Sequence, residues 1–207
     1  MWSITNLMKT SLNNYTYFIE KIPSDLFNSL KLECEQILDG NPNKNKKRIT
    51  GLSNKGVPTH YNLKVNNVKL YDYLNKLMIR AEKEINYFPS LKMTNKAVPL
   101  THQVPWINYQ RKHEYIPNHT HDGVYSYSIW IKSTETDPND EFSGYFNFIS
   151  PSVSGPILTT PLRVDKSKEG YIVMFPSPLM HCVYPFYDSD DYRISISGNI
   201  MMNTKNG

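Results

Sequence analysis

The sequence predicts a mainly β fold, a sandwich or jelly roll supported by α-helices, and three observations lead to this prediction. In the N-terminal half, apolar residues recur every three or four positions in two segments, as they do on one face of a helix. From Gln103 onward apolar and polar residues alternate instead, as on half-buried strands. Clusters of Pro, Gly, Asp and Asn separate these short alternating runs, which is typical of antiparallel sandwiches and jelly rolls.

Two amphipathic helices are predicted. Ser24 is placed to cap a helix over 25–38, and Asn67 to cap a helix over 67–87 that ends before Pro89. Each helix has one apolar face, and we expect both to pack on the outer face of a sheet. These faces comprise Phe27, Leu30, Cys34, Ile37 and Leu38 in the first helix, and Leu70, Leu74, Leu77, Met78 and Ile85 in the second.

The rest of the chain is predicted as strands and one long loop. Short strands are expected at 2–8 and 15–22, and residues 41–60, rich in Asn, Lys, Gly and Ser, are expected to form a loop. The C-terminal strands are predicted at 104–109, 124–131, 144–149, 157–164, 170–175, 182–185 and 192–201. Without a repeat or a long linker, residues 1–207 form one predicted domain, with helical support and outer strands in 1–100 and a jelly-roll core in 101–203.

Composition narrows the function classes. The chain is 39% hydrophobic, as expected of a globular protein, and its net charge of +4 is partly concentrated in the basic stretch 44–48. We interpret that stretch as a solvated loop rather than a nucleic-acid site. Two cysteines argue against a disulfide framework, and no segment has the length of a signal core or membrane span. A cytoplasmic protein without a membrane partner is therefore expected.

Three of the six histidines stand out by position. His119 and His121 lie two apart in Pro-Asn-His-Thr-His-Asp-Gly, so on an extended segment both side chains project to the same side. His181 follows the end of a predicted strand, and strand ends that meet at the mouth of a jelly roll hold metal ligands rigidly. We interpret the other three, His60, His102 and His113, as solvated loop residues.

Arg193 begins a segment in which Arg193, Ser195, Ser197 and Asn199 share one face of a strand. This face lies either in bulk solvent or inside the barrel. Inside the barrel the guanidinium would need an anion, because an unpaired buried charge is costly, and it could bind a carboxylate through two hydrogen bonds.

Several stretches together resemble the 2-oxoglutarate/iron(II) oxygenase superfamily, most of all its prolyl-hydroxylase-like group, which includes bacteriophage members. The resemblance runs from Trp106 to Asn199. The matching stretches are Trp106-Ile-Asn-Tyr-Gln, Pro117-Asn-His-Thr-His-Asp-Gly, Tyr127-Ser-Ile-Trp-Ile, Gly170-Tyr-Ile-Val-Met-Phe-Pro-Ser, His181 and Arg193-Ile-Ser-Ile-Ser-Gly-Asn.

The resemblance implies a double-stranded β-helix with iron(II) and 2-oxoglutarate as cofactors. It assigns His119 and His181 to the iron, and Arg193 with Ser195 to the distal carboxylate of 2-oxoglutarate. Tyr109 would contact the cosubstrate, with ordinary core packing as an equally weighted alternative. The implied reaction consumes O2, decarboxylates 2-oxoglutarate to succinate and oxidises a peptidyl (prolyl-like) or small-molecule substrate.

The sequence departs from the family's His-x-Asp motif, because His121 stands where the carboxylate is expected and Asp122 follows one residue later. We favour His121 as the third ligand over Asp122, which would need a kinked loop. A three-histidine site also suits a cupin-type dioxygenase that does not use 2-oxoglutarate. A jelly roll that only binds a partner is the remaining alternative.

Overall fold

A computed structural model describes residues 16–39, 59–64, 67–85, 100–134, 139–140, 142–152 and 154–203. The N-terminal part of this chain contains β1 (Phe18–Lys21), α1 (Ser24–Asp39), β2 (Thr59–Asn62), α2 (Asn67–Ile85) and β3 (Leu100–His102). The following strands are β4 (Trp106–Gln110), β5 (Ile116–His119), β6 (Tyr125–Lys132), β7 (Phe146–Pro151), β8 (Ile157–Leu162), β9 (Tyr171–Pro176), β10 (Met180–Val183) and β11 (Arg193–Met202), with a short 3₁₀ helix at Lys166–Lys168.

Within these described ranges the strands form two antiparallel sheets. The larger has the order β1-β9-β6-β11-β4-β2, with β3 also paired to β11, and the smaller has the order β5-β10-β7-β8. From β4 to β11 the chain passes repeatedly from one sheet to the other, which is the jelly-roll arrangement. The predicted fold class is confirmed.

The apolar residues of α1, α2 and the larger sheet form one core. Leu30 and Cys34 of α1 and Leu70 and Leu74 of α2 are fully buried in it, and they pack with the outward-facing residues Ile107, Ile129, Ile194 and Ile196 of the sheet. A second core lies between the sheets, built on Trp130, Phe146, Phe148 and Phe175. The helices thus hold the back of the larger sheet, and its front is left to face the smaller one.

Several boundaries differ from the predictions. The predicted end of the loop over 41–60 is wrong, because Thr59 and His60 already belong to β2, where they pair with β4. Strands β3 and β5 were not predicted, and His181 lies inside β10 rather than before a strand. The strand predicted over 2–8 lies outside the described residues.

Candidate metal centre and cavity

Three histidines meet between the two sheets. His119 ends β5 and lies directly opposite His181 of β10, its antiparallel neighbour. His121 follows two residues after His119, and its backbone N–H donates to the carbonyl of Ser177, just beyond β9. The nitrogen atoms that the three side chains offer all lie within 4.8 Å of one another. One ion can therefore be bound by all three.

Hydrogen bonds fix which ring nitrogen two of these histidines present. The Nδ1 of His119 lies 2.8 Å from the carbonyl oxygen of Pro117, and the Nδ1 of His181 lies 2.8 Å from that of Leu179. A carbonyl only accepts, so each Nδ1 carries the proton and each Nε2 keeps its lone pair. This orientation by a backbone acceptor is typical of histidines that bind metal.

Burial keeps the cluster uncharged. Desolvation, with a smaller contribution from nearby histidines, lowers the pKa of His181 to about 3 and that of His121 to about 4. Burial also lowers the pKa of His119, against the opposing effect of carbonyl groups at Pro117 and His181. The three imidazoles are neutral at physiological pH, which is the protonation state that binds a metal.

Aromatic side chains enclose the cluster on one side. The ring of Phe146 is stacked on His181 with centroids 5.4 Å apart, and the ring of Phe175 meets His181 edge-on at 4.7 Å. Trp106 lies beside His121, with ring centroids 5.7 Å apart. This shell restricts the imidazoles to their present orientations and limits the access of water to one side of the centre.

A cavity of about 610 Å³ opens in front of the histidines. Its wall includes the polar residues of β11 and β4 that face away from the helices. Asn108 of β4 is buried there and its Nδ2 donates to the hydroxyls of both Ser195 and Ser197, at 3.1 Å each. His60 of β2 also lines the cavity, so the prediction that it is a solvated loop residue is wrong.

Arg193 is buried inside the barrel and not on an outer face. Its side chain is only 4% exposed, and its Nη1 donates to the carbonyl of Gly144. Within the described residues no acidic side chain forms an ion pair with it. Burial lowers its pKa to about 10, which leaves it charged at neutral pH. Ser195, two residues along the same strand face, is among the residues that line the cavity, whereas Arg193 is not.

Two other predicted site residues lie away from the cavity. The Tyr109 hydroxyl donates to the carbonyl of Cys34 in α1 at 2.7 Å, so its side chain packs on the helix side of the sheet. This corrects the predicted cosubstrate contact and supports the alternative, core packing. Asp122 is exposed and is not part of the cluster formed by His119, His121 and His181.

Sequence reasoning missed Asn108 and His60. The signal for Asn108 was present, because neighbouring residues of a strand face opposite ways and Ile107 and Tyr109 are apolar or aromatic. If Tyr109 packs in the core, Asn108 must face the cavity. No comparable signal marked His60, which follows a long polar stretch.

Comparison with known proteins supports an oxygenase. Residues 104–199, somewhat under half of the chain, match the model of a 2OG-Fe(II) oxygenase family. No curated protein matches the chain in sequence. Among solved structures, a prolyl-4-hydroxylase from Pseudomonas putida is similar, with a TM-score of 0.59 and 12% identity over 89% of this chain and 92% of that one.

Two further solved structures share the fold. HygX from Streptomyces hygroscopicus, with nickel, 2-oxoglutarate and hygromycin B bound, has a TM-score of 0.59 and 10% identity over 93% of this chain and 85% of its own. The viral collagen prolyl hydroxylase of Paramecium Bursaria Chlorella virus-1 has a TM-score of 0.52 and 14% identity over 89% and 94%. The resemblance stated from the sequence is confirmed.

Proposed function

We propose that this 2-oxoglutarate- and iron(II)-dependent oxygenase binds its iron through His119, His121 and His181, and its 2-oxoglutarate through Arg193 with Ser195 beside it. The observation that carries the proposal is the histidine cluster, in which the backbone fixes two Nε2 lone pairs toward a common centre. Imidazole is a suitable ligand for iron(II), so the residues present fit this metal.

Arg193 supports the second half of the proposal. A buried guanidinium without an acidic partner is unfavourable by itself, and binding an anion removes that cost. The distal carboxylate of 2-oxoglutarate is such an anion and can accept two hydrogen bonds from the guanidinium fork. Ser195, two residues further along the same strand face, lines the cavity, and its hydroxyl can donate to the same ligand.

Bound iron and 2-oxoglutarate together supply the activation of O2 that oxidises the substrate. The chain's own contribution is geometric and electrostatic. Its histidines are neutral and so can hold the metal. Phe146 and Phe175 fix the ring of His181 and keep water from that side. The third proposed ligand is a neutral histidine and not a carboxylate. The metal and its ligands together would therefore carry one more unit of positive charge than in a His-x-Asp site, which favours an anionic cosubstrate.

We propose that the substrate is a peptidyl (prolyl-like) group or a small molecule. The proposal is made by analogy with the prolyl hydroxylases and the hygromycin-B-bound HygX among the structural neighbours. No helix in the described ranges is long and apolar enough to cross a membrane. We propose one oxygenase domain, located in the cytoplasm, or in the host cytoplasm if a bacteriophage encodes it.

The test is anaerobic absorption spectroscopy. Iron(II) and then 2-oxoglutarate are added to the purified protein, and we expect a weak metal-to-ligand charge-transfer band in the visible range. The band is expected to disappear in His181→Ala, which loses a metal ligand, and in Arg193→Ala, which loses the carboxylate partner. His113→Ala is the matched control, because His113 is an exposed turn residue, and its band should equal that of the wild type.

Each spectroscopic result has a distinct meaning. Iron binding without a band in the wild type would refute 2-oxoglutarate binding and favour a three-histidine dioxygenase. A band that survives in His181→Ala would show that the metal binds elsewhere. If the band forms in Arg193→Ala at the same 2-oxoglutarate concentrations as in the wild type, Arg193 does not bind the cosubstrate.

A further inference from the structure

The cavity in front of the histidines carries no formal charge on its wall. Among the described residues that line it, none is a lysine, arginine, aspartate or glutamate. Its polar groups are instead imidazoles, hydroxyls and carboxamides, the last being those of Asn62, Gln103, Asn108, Asn118 and Asn199. Only a metal held by the histidines, or the guanidinium of Arg193 on the same face of β11, could neutralise a charged ligand at this wall.

Among the described residues that line this wall, three have a buried side-chain polar atom without a partner. One is the hydroxyl of Tyr127, whose ring packs in the core on the helix side of the larger sheet. The other two are Nε2 of His60 and Oδ1 of Asn108. The two residues lie directly opposite each other on the paired strands β2 and β4, so their side chains are neighbours on the same face. Leaving such atoms unpaired costs free energy, and a well-folded site normally satisfies them with a ligand or water.

The hydrogen bonds of Asn108 explain why a ligand should satisfy this pair. Its Nδ2 is fully used by the hydroxyls of Ser195 and Ser197, so the amide cannot turn to serve another group without breaking both bonds. The remaining oxygen accepts and does not donate. It therefore attracts an N–H or O–H group and repels a carboxylate, including either carboxylate of 2-oxoglutarate.

We infer that His60 and Asn108 determine substrate specificity by pairing with an uncharged hydrogen-bonding group of the substrate, an amide or a hydroxyl. This inference rests on the proposed function of the site. It adds that the part of the substrate that contacts His60 and Asn108 carries no formal charge. A free amino acid is excluded, because its ammonium and carboxylate would both lose water without gaining an oppositely charged partner on the wall. A peptide amide or a polyol meets the requirement.

The test uses three small probes of nearly equal size on the Mn(II)–2-oxoglutarate form of the protein. N-acetylglycinamide is neutral, N-acetylethylenediamine is a cation and N-acetylglycine is an anion. Mn(II) speeds the relaxation of the protons of any probe that binds near it. The relaxation rate of each probe therefore measures its binding, and no turnover is needed. We expect the neutral probe to bind about tenfold more tightly than either charged one. Erythritol, measured in parallel, distinguishes a hydroxyl preference from an amide preference.

Variants assign the preference to the two residues. Asn108→Leu and His60→Leu should each weaken the neutral probe about tenfold, since each removes one hydrogen-bonding partner. Asn108→Asp places a carboxylate of the same shape at the wall and should reverse the order of affinities in favour of the N-acetylethylenediamine cation. His113→Gln serves as the control and should leave every probe unchanged. Thermal unfolding and the 2-oxoglutarate charge-transfer band of the iron(II) form show that each variant is folded and loaded.

Failure of this inference is separable from failure of the proposed function. If the charge-transfer band is present but the three probes bind equally, or none binds, the inference is wrong while the proposed function stands. The same holds if the Asn108 and His60 variants lose affinity for 2-oxoglutarate and not for the neutral probe. Absence of the band in the wild type would instead overturn the proposed function.

Discussion

The carbonyl groups of Pro117 and Leu179 determine how His119 and His181 behave as individual residues. Each carbonyl lies two residues before its histidine, so the geometry of a short strand segment is enough to form the bond. The bond holds the proton on Nδ1, and the surrounding aromatic rings make a second proton on Nε2 unfavourable. The imidazoles are thus prepared for a metal before one binds.

The lowered pKa of His181 makes the metal-free protein sensitive to acid. Its pKa is about 3 in the folded chain and near 6.5 when unfolded, so between these values the unfolded state binds a proton that the folded state does not. The free energy of unfolding should therefore fall as the pH falls from about 6.5 toward 3, by up to about 1.4 kcal/mol per pH unit for this group. Urea unfolding of the metal-free protein at pH 7, 6 and 5 measures the slope.

His181→Phe is the matched variant for this measurement, because phenylalanine fills similar space among Phe146, Phe148 and Phe175 but does not titrate. Its stability should change less with pH than that of the wild type. Equal slopes in the two proteins would mean that His181 does not take up a proton on unfolding in this range.

Arg193 is predicted to serve binding at the expense of stability. Replacing a buried charge that has no acidic partner by an apolar residue of similar volume is often neutral or stabilising. We expect Arg193→Met to unfold at the same temperature as the metal-free wild type or a higher one, while it loses the 2-oxoglutarate band. A fall of several degrees in this variant would instead assign Arg193 a mainly structural role through its bond to Gly144.

At the scale of single elements, β4 shows what the sequence could and could not predict. Its existence and the alternation of its side chains followed from the pattern of polar and apolar residues. Which face pointed inward did not, because Tyr109 can pack in a core or contact a ligand equally well. The structure decides this through α1, whose Cys34 carbonyl accepts the Tyr109 hydroxyl. A contact between residues so far apart in the chain leaves no local signal.

Strand β5 was missed for a different reason. Its sequence, Ile116–His119, contains a proline and an asparagine, which normally indicate a turn. It is nevertheless a strand, because it lies at the edge of the smaller sheet, where a residue without a backbone N–H is tolerated. The three-histidine cluster could be predicted without this strand, since the spacing of His119 and His121 and the downstream His181 and Arg193 were sufficient.

Tyr109→Phe tests the role of β4 in holding α1. The variant keeps the ring in the core and removes only the hydroxyl, so the free energy of unfolding should fall by about 1 kcal/mol through loss of the bond to Cys34. Affinity for 2-oxoglutarate, measured from the charge-transfer band, should stay unchanged. If the variant instead binds 2-oxoglutarate more weakly at unchanged stability, the prediction from the sequence that Tyr109 contacts the cosubstrate would be supported.

At the scale of the whole molecule, the candidate metal centre connects the two sheets. His119 and His181 belong to the smaller sheet, whereas the backbone of His121 is held by Ser177, which follows β9 of the larger one. A metal bound by all three side chains would therefore resist separation of the sheets. Since the ligands come together only in the folded chain, binding energy becomes folding energy.

Metal binding should accordingly raise the midpoint of thermal unfolding of the entire protein. At a free metal concentration one hundred times the dissociation constant, the expected gain is about 2.7 kcal/mol. Nickel(II), which does not oxidise in air, is a convenient probe for calorimetry, and 2-oxoglutarate should add a second increment only when metal is present. His181→Ala should lose both increments, and His113→Ala should keep both. A shift from 2-oxoglutarate without metal would contradict a cosubstrate site completed by the ion, and a full metal shift in His181→Ala would place the ion outside the histidine cluster.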